Sequence, residues 1–243
     1  MKLIKLNAID STNVFLKELA VKEDLDNYTV VTAQIQTNGK GQMGAVWHTE
    51  AGKNLIMSVF VKKSVRDVES IFNLNVAVAV SIVQALETFG IPNLNIKWPN
   101  DIMSCNFKIG GILIENNLKV NNTINSVIGL GLNVNQIDFG EMPKASSLKL
   151  ISKIDFDRDA ILIAIVSYLE INIALVQNDS KVIWEKYLDL LFKKGIPMAF
   201  KNTKTNQNFM GIIQTVSTHG HLEVLLEDDS LQYFELKEIQ MLY

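Results

Sequence analysis

Apolar positions follow two rhythms along this chain, and the rhythm changes near residue 195. Before that point, apolar runs of strand length are interleaved with longer segments of helical period. Leu3 to Leu6 reads as a short strand, and Asp10, Ser11, Thr12 and Asn13 then offer N-cap side chains ahead of an amphipathic helix, VFLKELAVK. Tyr28 to Gln34 and Leu55 to Val61 hold enough β-branched and aromatic residues for buried strands. Ser70 to Phe89 predicts a mostly buried helix, stopped by Gly90 and by Pro92. Leu94, Ile96 and Trp98 alternate with polar residues in a strand that Pro99 ends, which puts Lys97 on the face opposite Trp98. Ile102 to Glu115 reads as a hairpin and Ser126 to Asn135 as a further strand. Asp155 to Asp159 caps a helix to about Val176, and Val182 to Phe192 forms another. After Lys193-Lys194-Gly195-Ile196-Pro197 the helical period stops. Met198 to Lys201, Phe209 to Val216, Leu222 to Leu226 and Leu231 to Glu235 predict short strands, separated by exposed turns at 218–221 and 227–230, which suits a small barrel.

Between the first two long strands lies the least core-like stretch, Gln34 to Leu55, QIQTNGKGQMGAVWHTEAGKNL. At its centre, Gly39-Lys40-Gly41-Gln42-Met43-Gly44 sets three glycines and a cation within six residues. Glycines at that density let backbone N–H groups approach an anion, because no Cβ intervenes and φ can be positive. A plain hairpin turn is the other reading of such a cluster. Trp47 follows with an aromatic face of the kind a nucleotide base needs. The hexamer fits G-x-G-x-x-G, but that fingerprint requires a helix opening out of it. The residues that follow, AVWHTEAGKN and LIMSVFV, have no helical period, which excludes a Rossmann site. A Walker loop is excluded because no Lys-Ser or Lys-Thr closes a glycine pair at its spacing.

Composition narrows the field. The chain has 243 residues, a formal net charge of −3 and a pI near 5.7, which argues against a broad nucleic-acid footprint. Cys105 is the only cysteine, so there is no disulfide framework and no thiolate zinc site, in keeping with a reducing cytoplasm. The first residues, MKLIKLNAIDSTN, hold too short an apolar run for a signal peptide. Ile71 to Phe89 and Ile161 to Val176 are strongly apolar. Asn73, Asn75, Gln84 and Glu87 interrupt the first, and Ser167, Glu170 and Asn172 the second, so neither reads as a membrane span. His219 and His221 flank a glycine in a turn, with no third ligand close in sequence. His48 has no serine and acid partners that would make an acyl-enzyme site.

Several polar positions keep both a structural and a functional reading. Ser11 or Thr12 caps a helix, yet the hydroxyl and amide groups of 11–13 also suit a small polar ligand. Asn100 and Asp101 end a strand as a turn does, while also offering an amide and a carboxylate beside Lys97. Gly110 and Gly111, then Gly129 and Gly131, weaken two strands unless something must lie close against them. One sheet face kept clear of side chains could receive a flat ligand.

In order, D-S-T-N, Q-T-x-G-[RK]-G-x-x-G-x-x-W, G-x-N-L, K-W-P-N-D, K-x-x-G-I-L-x-E and I-G-x-G-x-N-x-N resemble the motifs of biotin–protein ligases, over nearly the whole chain. The resemblance implies an α+β fold: a catalytic domain of mixed sheet and helices, 1–194, related to class II aminoacyl-tRNA synthetases and lipoate ligases, followed by a Src-homology-type β-barrel, 195–243. It implies ATP with Mg²⁺ as cofactors, biotin as substrate and a biotin carboxyl carrier protein as partner. Two half-reactions follow from it, formation of biotinyl-5′-AMP and transfer of biotin to a carrier lysine.

Position by position, the resemblance assigns Ser11, Thr12, Asn13 and Gln36 to biotin, and Lys40, Gly41 and Gln42 to a loop closing over biotin and phosphate. Gly39, Trp47, Asn54, Asn100 and Asn133 fall to the nucleotide. Lys97 and Asp101 match charged residues at the phosphates, with Asp101 at the metal, and Lys108 matches the lysine that reaches the biotin carboxylate and α-phosphate. Gly110 and Gly111 match the strand beneath biotin.

This sequence departs from the pattern where many members have Arg-Gly-Arg and it has Lys40-Gly41-Gln42, which should weaken its hold on the adenylate phosphate. The loop at 37–46 is expected to be mobile when empty. The motifs begin at Asp10, so a ligase without operator binding is expected, a cytoplasmic monomer or homodimer with no nucleic-acid or membrane partner. A lipoate–protein ligase and a non-catalytic biotin or nucleotide sensor are the competing readings; Asp101 and Lys108 count against the sensor.

Overall fold

The computed structural model describes residues 1–65, 67, 70–118 and 123–243. In chain order the first elements are strand β1 (Leu3–Ile9), helix α1 (Thr12–Lys22), β2 (Thr29–Gln36), β3 (Leu55–Val65), α2 (Ile71–Thr88), β4 (Leu94–Lys97), β5 (Asp101–Ser104), β6 (Phe107–Leu118) and β7 (Ile124–Leu132). Helices α3 (Leu148–Ser152), α4 (Arg158–Asn178) and α5 (Lys181–Asp189) follow. Strands β8 (Pro197–Asn202), β9 (Asn208–Val216), β10 (Leu222–Leu226), β11 (Leu231–Phe234) and β12 (Ile239–Leu242) complete the chain. The pattern of apolar positions anticipates all of these but α3 and β12. Helix α3 is too short to show a period and rests on its cap, Ser147 Oγ accepting from Leu150 N at 3.2 Å. Strand β12 is equally short and stands as a strand by pairing with β8.

Among the described residues the large sheet has the order β1-β2-β3-β7-β6-β5-β4. Strands β1 and β2 are parallel and the other neighbours antiparallel, which makes the sheet mixed. Its two faces are covered unequally. Val30, Val59 and Leu130 point to the face packed by α2, α4 and α5, where most of the buried side chains lie. Helices α2 and α4 are long and apolar enough to cross a bilayer by composition, yet α2 is mostly buried in this core. Two of the polar residues that interrupt their apolar runs meet each other: Asn172 donates to Gln84 Oε1 at 2.7 Å, and also to Ser81 Oγ at 2.9 Å.

On the opposite face α1 is the cover, and it reaches only one end. Leu16 and Leu25 pack there on Val31, Phe60 and Val127. Two residues along from Phe60 and Val127 the same face presents Ser58 opposite Gly129, and two further on Ile56 opposite Gly131, with Gly111 paired to Gly131 from β6. The uncovered half of this face is therefore floored by glycine.

The second sheet, β11-β10-β9-β8-β12, is antiparallel throughout. Phe200 is buried at its centre and stacks on Phe209 at 5.4 Å, which stacks on Phe234 at 5.6 Å. The chain joins the two sheets by bonding to the edge strand β4 of the first and then to the central strand β9 of the second. Leu190 O accepts from Ile96 N, Phe192 N donates to Ile96 O, and Gly195 N donates to Ile213 O at 2.9 Å. We propose the domain division between 194 and 195, where the chain turns from β4 to β9, although a single apolar cluster continues across it. The turn at 218–221 is not wholly exposed as expected. Gly220 is buried against Phe72, with φ +88°, and its carbonyl accepts from Trp98 Nε1 at 2.8 Å.

Candidate active site

The bare half of the sheet is the floor of a cavity of about 270 Å³. The start of α1 forms one wall. Ser11 caps the helix, accepting from Val14 N at 3.5 Å, so its hydroxyl serves the helix as the local sequence suggests. Thr12 donates to Gln36 Oε1 from both its backbone nitrogen (2.7 Å) and Oγ1 (3.1 Å). Asn13 is held from three sides: Ser58 Oγ lies 2.5 Å from its Oδ1, and its Nδ2 donates to Glu115 Oε2 at 2.9 Å and to Leu113 O at 3.3 Å. Glu115 is itself paired with Lys17 at 2.7 Å. Burial raises the Glu115 pKa, but the hydrogen bonds from Lys17 and Asn13 and the charges of Lys17 and Lys40 outweigh it and leave the group below the usual glutamate range. A Cβ at Gly129 would collide with the Asn13 amide, which explains the glycine there.

The far wall holds the charge. Asp101 opens β5 opposite Gly111, and its Oδ1 is 2.5 Å from Lys108 Nζ while Oδ2 is 4.0 Å from Lys97 Nζ. Burial pulls the Lys97 pKa down, Asp101 opposes that and the Lys108 charge adds to it. The backbone of Lys108 is clamped, its N–H donating to Lys144 O at 2.8 Å and its carbonyl accepting from Ser146 N at 3.0 Å. Asn100 donates to Ile112 O at 2.8 Å and accepts in return through its backbone, which ties the strand end to β6.

The glycine loop forms the roof as a closed hairpin. Gly41 N donates to Ala45 O at 2.7 Å and Trp47 N to Gly39 O at 2.9 Å. Met43 and Gly44 take positive φ, 50° and 85°, at its tip, and Lys237 from the barrel donates to Met43 O at 2.8 Å. The Gly41 amide is used within the hairpin, as the plain-turn reading of the glycine cluster has it. Lys40 is the loop's contribution of charge to the cavity. Trp47 reaches down to the floor, its ring 5.7 Å from Lys108 Nζ, with Nε1 buried and unpartnered.

A helix start dense in hydrogen-bonding groups, an aromatic ring and a lysine–aspartate pair around one glycine floor suit an acid joined to a nucleotide. Comparison with known proteins agrees. The biotin/lipoate A/B protein ligase family matches residues 6–133. The bifunctional ligase/repressor BirA of Bacillus spizizenii is 32% identical over 228 residues, covering 90% of this chain and 68% of that protein. The chain belongs to the biotin/lipoate A/B protein ligase family. The biotin–[acetyl-CoA-carboxylase] ligase of Mycobacterium tuberculosis is 27% identical over 216 residues, 87% of this chain and 79% of that one. In fold, the chain is similar to biotin protein ligase from Aquifex aeolicus in complex with biotin and ATP, with a TM-score of 0.81 and 24% identity over 99% of this chain and 98% of that one.

Of the positions this ligase family suggests, Ser11, Thr12, Asn13, Gln36, Lys40, Gly41, Gln42, Trp47, Asn100, Asp101, Lys108 and Gly111 line the cavity. Lys97 lines the adjoining cleft, which shares Gln42, Asn100 and Asp101 with it. Four positions do not line it and require correction. Gly110 faces away from the floor, because adjacent strand residues alternate, and lies near Leu132 and Ile102. Gly39 is buried against the Trp47 carbonyl. Asn54 is consumed inside, accepting from Val134 N at 3.0 Å and donating to Gln136, and Asn133 donates to Ser146 O at 3.0 Å. These residues brace the loops around the ligase site. Sequence reasoning also passed over Ser58, whose hydroxyl meets both Thr12 and Asn13, and Glu115, visible only as the last letter of a motif. Ser58 gives no local signal, since it sits inside an apolar strand.

Proposed function

We propose that this protein is an ATP-dependent biotin–protein ligase, which joins biotin to ATP as biotinyl-5′-AMP and passes the biotinyl group to a lysine of a biotin carboxyl carrier protein. The observation that bears the reading is the placement of Thr12 and Asn13 at one wall, and of Lys108 with Asp101 at the other, of one glycine-floored cavity in a member of this ligase family.

The chemistry requires such a site. A carboxylate resists attack by an amine, because negative charge would accumulate on an already negative group. In the first step a biotin carboxylate oxygen bonds to the α-phosphorus of ATP and the bond to pyrophosphate breaks. In the second, the carrier amine bonds to the activated carbonyl carbon, loses its proton, and AMP leaves. Lys108 neutralises the two anions that must meet, and Asp101 holds its ammonium in place. Lys40 adds a second cation from the roof, and Lys97 a third from the adjoining cleft. Thr12, Asn13, Gln36 and Gln42 offer polar groups for the ureido ring, which needs partners once desolvated. Trp47 and Asn100 stand where the adenine would be covered.

Asp101 is the one carboxylate lining the cavity among the described residues, and no cluster of three acids or histidines forms. Mg²⁺ is commonly held by one or two carboxylates together with substrate phosphates. The site therefore fits Mg²⁺ as a companion of ATP with Asp101 as its protein ligand, where it would offset phosphate charge. The single thiol Cys105 and the acidic balance support a cytoplasmic enzyme acting on a carrier protein.

Incubating the purified protein with ATP, Mg²⁺, labelled biotin or lipoate, and an apo carrier domain tests the reading. ATP-dependent biotin label on the carrier lysine is expected. Label from lipoate alone, or biotin bound without adenylate formation, would overturn it.

A further inference from the structure

The barrel reaches the charged wall through one side chain that no motif contains. Tyr243 follows β12, and its phenol oxygen is 3.3 Å from Lys97 Nζ. The same ammonium lies 4.8 Å from the ring centroid, and Lys144 Nζ lies 4.2 Å from it. Phe192 holds the ring edge-on at 5.1 Å and 70°. Lys97 in turn faces Asp101 and borders the cleft of about 240 Å³ that adjoins the cavity and is lined from the barrel by Lys237, Gln240 and Met241.

We propose that Tyr243 is a positioning residue for Lys97, aiming its ammonium into the cleft between the two sheets, where the phosphates that leave as pyrophosphate would lie. This rests on the ligase reading above. A phenol oxygen that accepts from the ammonium, with a π face beside it, fixes the direction of an otherwise flexible lysine side chain. The charged groups facing Lys97 are then Asp101 from β5, Lys108 from β6, Lys144 across the ring and Lys237 along the cleft. The cations outnumber the one carboxylate, as an anion subsite requires. The adjacency of cavity and cleft gives the leaving group a route that does not cross the biotin end.

The test compares wild type, Tyr243→Phe and Tyr243→Leu in pyrophosphate release, with direct ATP titration as the second readout. Removing the hydroxyl is expected to raise the KM and Kd for ATP about tenfold, the cost of a hydrogen bond to a charged group. The KM for biotin should stay unchanged. Tyr243→Leu, which also lacks the ring, should show a larger effect of the same kind. ATP affinity equal to wild type in Tyr243→Phe would overturn the inference while leaving the ligase reading intact. So would an equal rise in both KM values, which marks a structural loss. A wild type that makes no adenylate would refute the ligase reading and this inference with it.

Discussion

Trp47 rests against Gly131, and its indole stands where a Cβ at that position would have to be. The ring lies over the glycine floor of the cavity. The cavity of about 270 Å³ that it lines adjoins the cleft of about 240 Å³, so an acid and a nucleotide held there would lie against the indole. Trp98 is buried and bonded to Gly220, and Trp184 is bonded to Asn73, so Trp47 is the tryptophan free to respond. Adding biotin and ATP should shift the intrinsic fluorescence, and Trp47→Phe should abolish the shift. Gly131→Val should lower ATP affinity by expelling the ring without a ligand.

Lys108 meets Asp101 at the place where two anions must be brought together. Lys108→Met should lower the rate of adenylate formation by about 10²–10³, the scale on which a single electrostatic contact acts at a developing charge. Transfer from preformed biotinyl-5′-AMP should suffer far less. Pyrophosphate release measured beside single-turnover transfer separates the two.

Glu115 holds Asn13 in place, and its pKa is below the ordinary 4.5 because Lys17 and Asn13 bond its charged form against the opposing effect of burial. A depressed carboxylate adds stability above its unfolded pKa and loses that contribution as pH falls through the folded one. Wild type should therefore melt above Glu115→Gln near neutrality. The gap should close on acidification below the ordinary glutamate range. Melting temperatures of both proteins across pH check the sign, and Kd for biotin should follow the same course.

Gln42 lines both the cavity and the cleft beside it, at the tip of a loop whose charge there is Lys40. Gln42→Arg places a second cation within reach of the phosphates, with five donors in a fixed fork. The adenylate should dissociate more slowly from this variant. Chasing labelled biotinyl-5′-AMP with unlabelled biotin reads the change directly.

The order of motifs along the chain was enough to state the family, the mixed sheet with its small barrel, and most of the cavity's lining. Those features are local: a glycine tolerated within a strand, a cap residue before a helix and a lysine at fixed spacing each leave a mark on the chain. What the chain alone could not express is which side of a strand a residue faces, and what reaches it from elsewhere. Gly110 and Gly111 are equivalent letters, yet β6 turns one to the core and the other to the cavity. Asn54 and Asn133 read as binding amides until Gln136, Val134 and Ser146 are brought against them. Ser58 and Tyr243 acquire roles only from partners 46 and 146 residues away, because hydrogen bonds across a sheet or between domains are set by packing and leave no period in the sequence.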